Sequence, residues 1–339
     1  MILCGVVEPE SLEEKNFEGD LYGEGMKQFL QNIIRRGVIV IDSDKVLKSR
    51  LRDKVQYIPP KYQPAVTQLL SELFKMKNRV VACNKTKWKN SSIHTIGDIT
   101  KFNAVDGVFC RPNQVKRLKD QYVSARDRTS SFGSYFNSPF EERNKDLESR
   151  PSSIKKLSEY EFEGLLRPVL RHTSTLSFFD QYIGKGSSPS NFERGISLIV
   201  RAWNRSSNIP AAERKINIYT LTSERVYKSP PNGQRSKSQS MVEDAIENVQ
   251  DKVVRPLIDA YNVPINLNVK QANSPSERKD AHARYLETDN FIIHFERGFD
   301  IFHSDGGFCD TPVRLDNTAA RTTQWWRNLP DYYISTGDL

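Results

Sequence analysis

The sequence predicts an α/β protein in two parts. Three observations lead there. Short apolar runs alternate with amphipathic helical stretches through the first 83 residues, the order of a parallel sheet layered with helices. At 339 residues the chain exceeds the roughly 100–200 residues of one ordinary domain. The formal charge of +8 is also uneven: residues 1–150 hold 26 Lys/Arg against 19 Asp/Glu, whereas residues 151–339 hold 24 against 23.

Met1 to Val7 reads as a short buried strand. Glu24 to Arg36 places Met26, Phe29, Leu30, Ile33 and Ile34 at helical spacing, and Gly37 stands where a helix ends. Val38 to Ile41 is a continuous apolar run, as expected of a strand covered on both faces. Asp42 or Ser43 suits the cap of a helix over Lys45 to Lys54. After the Pro59-Pro60 break come an amphipathic helix, Ala65 to Met76, and a strand, Arg79 to Cys83. Asn84 to Arg111 is mixed in pattern. Arg126 to Pro151 is dense in Ser, Arg, Asn and Glu, the composition of an exposed connector. The expected organisation is therefore an α/β region over 1–125, a connector over 126–155 and a second α/β domain over 156–339.

The second half is more regular. Ser158 to Leu170 and Phe192 to Trp203 read as helices, with strands at Thr175 to Phe179 and Ile216 to Leu221. Ser223 to Ser240 is a turn-rich loop with four basic residues, Arg225, Lys228, Arg235 and Lys237. Met241 to Tyr261 reads as one long helix. Strand-like segments follow at Ile265 to Val269, His282 to Leu286, Phe291 to Phe295 and Phe299 to Phe302.

Composition excludes several classes. The 17 Phe and 13 Tyr are too many for a disordered chain. Cys4, Cys83, Cys110 and Cys309 lie far apart with no C-x-x-C spacing, which argues against a zinc knuckle or a disulfide scaffold. The N-terminus lacks the basic start and apolar run of a secretory leader, and nothing approaches a membrane span. A cytoplasmic location is expected. Lys75 to Arg128 holds 13 basic and 4 acidic residues, interleaved with Trp88, Phe102, Phe109 and Tyr122. That pattern suits a nucleic-acid backbone, and equally an ordinary solvated face.

The most informative stretch is His282 to Asp289, which fits H-x-R-x-x-x-x-D. On a strand, His282 and Arg284 would project from one face. An imidazole beside a guanidinium fork suits phosphate: the histidine attacks phosphorus or moves a proton while the arginine holds two oxygens. Further along lie Glu296-Arg297-Gly298-Phe299-Asp300, then Cys309-Asp310 and Arg314. Much earlier, Asp180-Gln181-Tyr182-Ile183 ends a predicted strand.

These pieces, in this order, resemble the phospholipase D-like domain at the C-terminus of MIT-domain proteins, which shows D-P-Y-I, H-x-R, G-R-G-L-D-like and C-D-x-x-x-R segments. The resemblance covers roughly Ser158 to Thr323. It implies a phospholipase D-like mixed-sheet α/β domain. It also implies catalytic roles for His282, Arg284 and Asp289, and phosphate-binding or supporting roles for Asp180, Tyr182, Arg297, Asp300 and Arg314. No metal and no other cofactor is implied, since hydrolysis would pass through a phosphohistidine.

Active members carry Lys where this chain has Arg284, and two motif copies per site where this chain has one, so a full site implies a homodimer. The MIT-associated relatives are non-catalytic and recognise phospholipid. Bacterial relatives resemble components of antiphage defence systems, which implies a partner protein there. The expected function is thus action on, or binding of, phosphodiester-containing ligands, as a nuclease or as a phosphate-, lipid- or partner-binding module.

Three smaller readings complete the set. Glu8, Asp42 and Asp44 stand at predicted strand ends, where carboxylates could hold a divalent cation; helix capping is the commoner use of Asp42. His294 reads as a strand-face residue, and Trp325-Trp326 as core or interface. Gly184-x-Gly186 lacks the strand-turn-helix context of a dinucleotide loop.

Overall fold

A computed structural model describes residues 2–76, 79–102, 105–149, 153–183, 189–221, 246–272, 283–303, 305–316 and 319–337. It divides into two units, Met1–Arg150 and Pro151–Leu339.

The first unit begins with strand β1 (Leu3–Val7), helix α1 (Asp20–Arg36) and strand β2 (Gly37–Asp42). Helices α2 (Val46–Lys54) and α3 (Gln63–Lys75) lead to β3 (Val80–Cys83). Helix α4 (Ser92–Phe102), β4 (Gly107–Phe109), α5 (Pro112–Gln121) and β5 (Thr129–Ser130) follow, and α6 (Pro139–Ser149) ends the unit. The five strands form one parallel sheet in the order β3-β2-β1-β4-β5. β1 and β2 are buried along their whole length, which is why they read as unbroken apolar runs. Asp42 caps α2, accepting from the backbone N–H groups of Val46 (3.0 Å) and Leu47 (2.8 Å).

The stretch expected as an exposed connector is instead part of this unit. Within it β5 adds to the sheet beside β4, and Phe132, Tyr135 and Phe140 are fully buried. Phe132 stacks on Phe109 with ring centroids 4.9 Å apart, and Phe140 meets Phe29 at 5.1 Å. Phe132 and Tyr135 sit three residues apart among Ser, Gly and Asn in 3₁₀ turns over Phe132–Asn137, and Phe140 follows in α6, so no single 3.6-residue period marks the apolar face. The boundary therefore falls at 150/151.

The second unit opens with α7 (Glu159–Leu170), whose N-terminus carries a capping box between Ser158 and Glu161. Then come β6 (Thr175–Phe179), α8 (Pro189–Ser206) and β7 (Lys215–Leu221). A π turn over Gln250–Val254 precedes α9 (Arg255–Tyr261). Residues 246–261 are helical throughout, as expected of the helix over 241–261, and the π turn falls just before Pro256, which lacks the N–H that a regular α-helix would donate there. Residues 241–245, and the loop Ser223 to Ser240, lie outside the described residues. The chain continues through β8 (Ile265–Lys270), β9 (Tyr285–Glu287), β10 (Ile292–Phe295), β11 (Val313–Leu315), α10 (Ala320–Asn328) and β12 (Asp331–Gly337).

The seven strands form a mixed sheet ordered β11-β10-β9-β6-β7-β8-β12. β6, β7 and β8 are parallel, and the remaining pairings are antiparallel. Phe299 to Phe302, expected as a strand, is a turn followed by a single bridge, Phe302 to Phe308. Trp326 is fully buried with Phe179, Leu221, Tyr285 and Ile292. That cluster anchors the end of β6 and the start of β9.

Candidate functional site

Asp180 follows the last residue of β6 and is fully buried. One carboxylate oxygen, Oδ1, accepts from the backbone N–H of Tyr182 at 2.9 Å. The other, Oδ2, accepts from the N–H of Phe299 at 3.2 Å. Asp180 thus ties the D-Q-Y-I turn to the turn after β10.

Arg284 enters the same place from the start of β9, because β9 runs antiparallel to β6 with Phe179 opposite Tyr285. Its Nε lies 3.7 Å from Asp180 Oδ1. Its Nη1 donates to the carbonyl of Glu296 at 2.5 Å. The guanidinium carbon stands 5.2 Å from the centroid of the half-exposed Tyr182 ring, within cation–π range. Arg284 Nε is buried and has no hydrogen bond among the described residues.

Gly298 closes the third side. Its φ is +79°, and a Cβ there would lie 2.1 Å from Asp180 Oδ2 and 2.6 Å from Arg284 Cδ. Both the left-handed conformation and the approach require glycine. Asp180 and the Arg284–Gly298 stretch, separated in sequence by about a hundred residues, meet at one end of β6.

The remaining expected residues sort differently. His282 lies outside the described residues, as does Gly184-x-Gly186. Asp289 does not join Arg284. It accepts from the backbone N–H (2.6 Å) and hydroxyl (2.7 Å) of Ser174. Ser174 precedes β6 and Asp180 follows it, so at about 3.3 Å per strand residue the two carboxylates are roughly 20 Å apart.

Arg297 and Arg314 are exposed. Arg314 sits opposite His294 across β10 and β11, and His294 opposite Tyr285. Burial, then the Arg314 charge, push the His294 pKa down. Asp300 is partly buried, with Oδ1 lacking a hydrogen bond among the described residues.

The strand-end carboxylates of the first unit are each occupied. Glu8 is fully buried and takes three hydrogen bonds from Arg111, at 2.7 Å (backbone N–H), 2.9 Å (Nε) and 2.7 Å (Nη2). Burial raises its pKa, against the lowering pull of Arg111. Asp42 is the helix cap, and Asp44 accepts from the Trp88 N–H at 3.1 Å. Among the described residues no group of three or more His, Cys, Asp or Glu is placed to hold a metal ion.

The interleaved aromatics of Lys75 to Arg128 do not form one face either. Phe109 is core, and the Tyr122 hydroxyl pairs with His94 Nδ1 at 2.9 Å. Lys89 and Lys101 both turn to Asp98. All four cysteines are buried and none forms a disulfide. Among the described residues no helix is long and apolar enough to cross a membrane.

Two features of the site had no sequence signal: the Glu296 carbonyl that anchors Arg284, and the Ser174 partner of Asp289. The first depends on a turn conformation and the second on strand length. Compared with known proteins, the chain matches no family model, and no curated protein matches it.

Proposed function

We propose that the second unit is a phospholipase D-like module that binds phosphodiester-containing ligands at the Arg284 end of β6, without a hydrolytic step of its own. The observation that carries the reading is the meeting of Asp180, Arg284 and Gly298, drawn from the D-Q-Y-I, H-x-R and R-G-F segments. Asp180 and the Glu296 carbonyl hold the guanidinium in one orientation, and Tyr182 covers a face of it. A preoriented guanidinium loses less entropy on binding an anion. Two features support binding without hydrolysis. The guanidinium charge is already shared with a buried carboxylate, and Asp289 stands at the other end of the strand, engaged by Ser174.

The second reading, a metal-independent phosphodiesterase formed by two His282 loops in a homodimer, rests on the His282–Arg284 spacing. Bis(para-nitrophenyl) phosphate separates the two, because it reports both binding and cleavage. The module should bind it saturably and release nitrophenolate at the rate of buffer alone. Turnover by the wild type that His282→Ala abolishes would establish the second reading instead.

A further inference from the structure

We propose that the first unit carries a second, independent site, a single-stranded nucleic-acid surface built by α2 and the end of α3. It lies partly outside the Lys75 to Arg128 stretch that sequence composition favours. The argument starts from how α2 sorts its four cations. With 3.6 residues per turn, positions 50 and 54 share one face and positions 48 and 52 another. Arg50 is neutralised by Glu10 at 2.5 Å and Lys54 by Glu13 at 2.6 Å. Lys48 and Arg52 form no ion pair with a carboxylate among the described residues. Both instead stand over the ring of Phe74 on α3, at 5.4 Å and 5.1 Å from its centroid.

Beside that ring is a groove of about 340 Å³. Its floor is Val55, Leu70 and Phe74, and Arg52 and Lys75 stand on its rim. The cationic surface continues past the start of α2. Lys45 is exposed there, held in a left-handed conformation (φ 61°). The β3–α4 loop is docked against this point, with Ser43 N–H donating to the Thr86 carbonyl (2.8 Å) and Trp88 N–H to Asp44 (3.1 Å). That loop stays on the Arg50 face of α2, its Trp88 ring 5.1 Å from the Arg50 guanidinium. Neither Lys45 nor Lys75 has a carboxylate partner among the described residues.

Like charges gathered without counter-ions repel one another, and burial together with Arg52 and Lys45 lowers the Lys48 pKa. A phosphate backbone relieves that repulsion and releases its own condensed cations. The apolar floor selects the kind of polyanion. A planar base reaching between cations that hold its flanking phosphates fills such a groove, and only a single strand has bases free to do so. Duplex bases are already stacked, and lipid headgroups have phosphate but no base for the floor.

The test uses the full chain, a labelled 20-nucleotide single strand, the matching duplex and phosphatidylserine-containing vesicles. Fluorescence anisotropy is followed from 50 to 300 mM salt. Lys48→Gln/Arg52→Gln/Lys75→Gln should weaken single-strand binding at least about tenfold, and reduce the slope of log K against log salt by about 2, given roughly 0.7 per lost phosphate contact. Phe74→Leu should weaken the single strand more than the duplex. Lys116→Gln/Arg117→Gln, exposed on α5, should change neither. Circular dichroism melting confirms that each variant is folded, and the triple variant alone decides if Phe74→Leu unfolds. An unchanged affinity and slope in the triple variant overturns the proposal, as does equal loss with the duplex, or binding to vesicles but not to the single strand. The triple variant should leave bis(para-nitrophenyl) phosphate affinity as in wild type, so this site and the one at Arg284 fail separately.

Discussion

Gly298→Ala tests the site at its tightest point. The substitution places a methyl group 2.1 Å from Asp180 Oδ2 and 2.6 Å from Arg284 Cδ, at a φ of +79°. Holding alanine in that left-handed conformation costs about 1–2 kcal/mol. Relieving the contact moves the Asp180 carboxylate off the Phe299 N–H, which loses a buried hydrogen bond to a charged group worth roughly 1.5–3 kcal/mol. Together the second unit should lose about 3–5 kcal/mol, and Arg284 should lose its fixed orientation.

Three of the four tryptophans, Trp203, Trp325 and Trp326, belong to this unit and only Trp88 to the other. Urea unfolding followed by tryptophan fluorescence therefore reports mainly on it. The variant's midpoint should fall with an unchanged slope, and bis(para-nitrophenyl) phosphate binding should weaken even in the folded baseline. A midpoint within about 0.5 kcal/mol of wild type, the range of an ordinary surface substitution, together with intact binding, would refute the reasoning.

Other outcomes follow from the same geometry. Asp289→Ala removes an acceptor of two hydrogen bonds from Ser174 and should destabilise the second unit by about 2–3 kcal/mol, yet leave phosphodiester affinity as in wild type by titration calorimetry. Phe132→Ala should cost the first unit about 3–5 kcal/mol in chemical denaturation, whereas a solvent-exposed connector would tolerate it. Stability should also fall on acidification below about pH 6.5. Burial, then Arg171, push the His172 pKa down to about 3, and its Nε2 is buried without a partner; burial and Arg314 lower His294. The unfolded chain takes up these protons near pH 6.5 and the folded chain does not. The stabilisation is therefore complete above that pH and declines at up to about 1.4 kcal/mol per pH unit per histidine as pH falls toward the folded values. Between pH 6.5 and 5, His172→Gln should flatten the decline in melting temperature; an unaltered decline would contradict it.

What could be read in the sequence divides along physical lines. β1 and β2 announce themselves because burial on both faces demands unbroken apolar runs, and α7 because its capping box and apolar stripe agree. β11 and β12 do not. β11 is three residues long and carries an exposed Arg314, and β12 opens on Asp331 with two tyrosines, so their strand character comes from pairing with β10 and β8.

At the site, Asp180, Arg284 and Gly298 stand in recognisable segments, but their meeting depends on the antiparallel register of β9 on β6. That same register sends Asp289, five residues beyond Arg284, to the opposite end of β6. The sorting of α2's cations was equally hidden, since Glu10 and Glu13 lie some forty residues upstream of Arg50 and Lys54.

The most direct measurement compares Arg284→Ala with Asp289→Ala in titrations of bis(para-nitrophenyl) phosphate, a probe with a single phosphate and too small to span the cations of α2. Wild type and Asp289→Ala should bind alike, and Arg284→Ala should lose at least about tenfold in affinity, as expected for removing a charge-assisted contact. Equal affinity in wild type and Arg284→Ala would show that the convergence at the end of β6 is not a phosphodiester site.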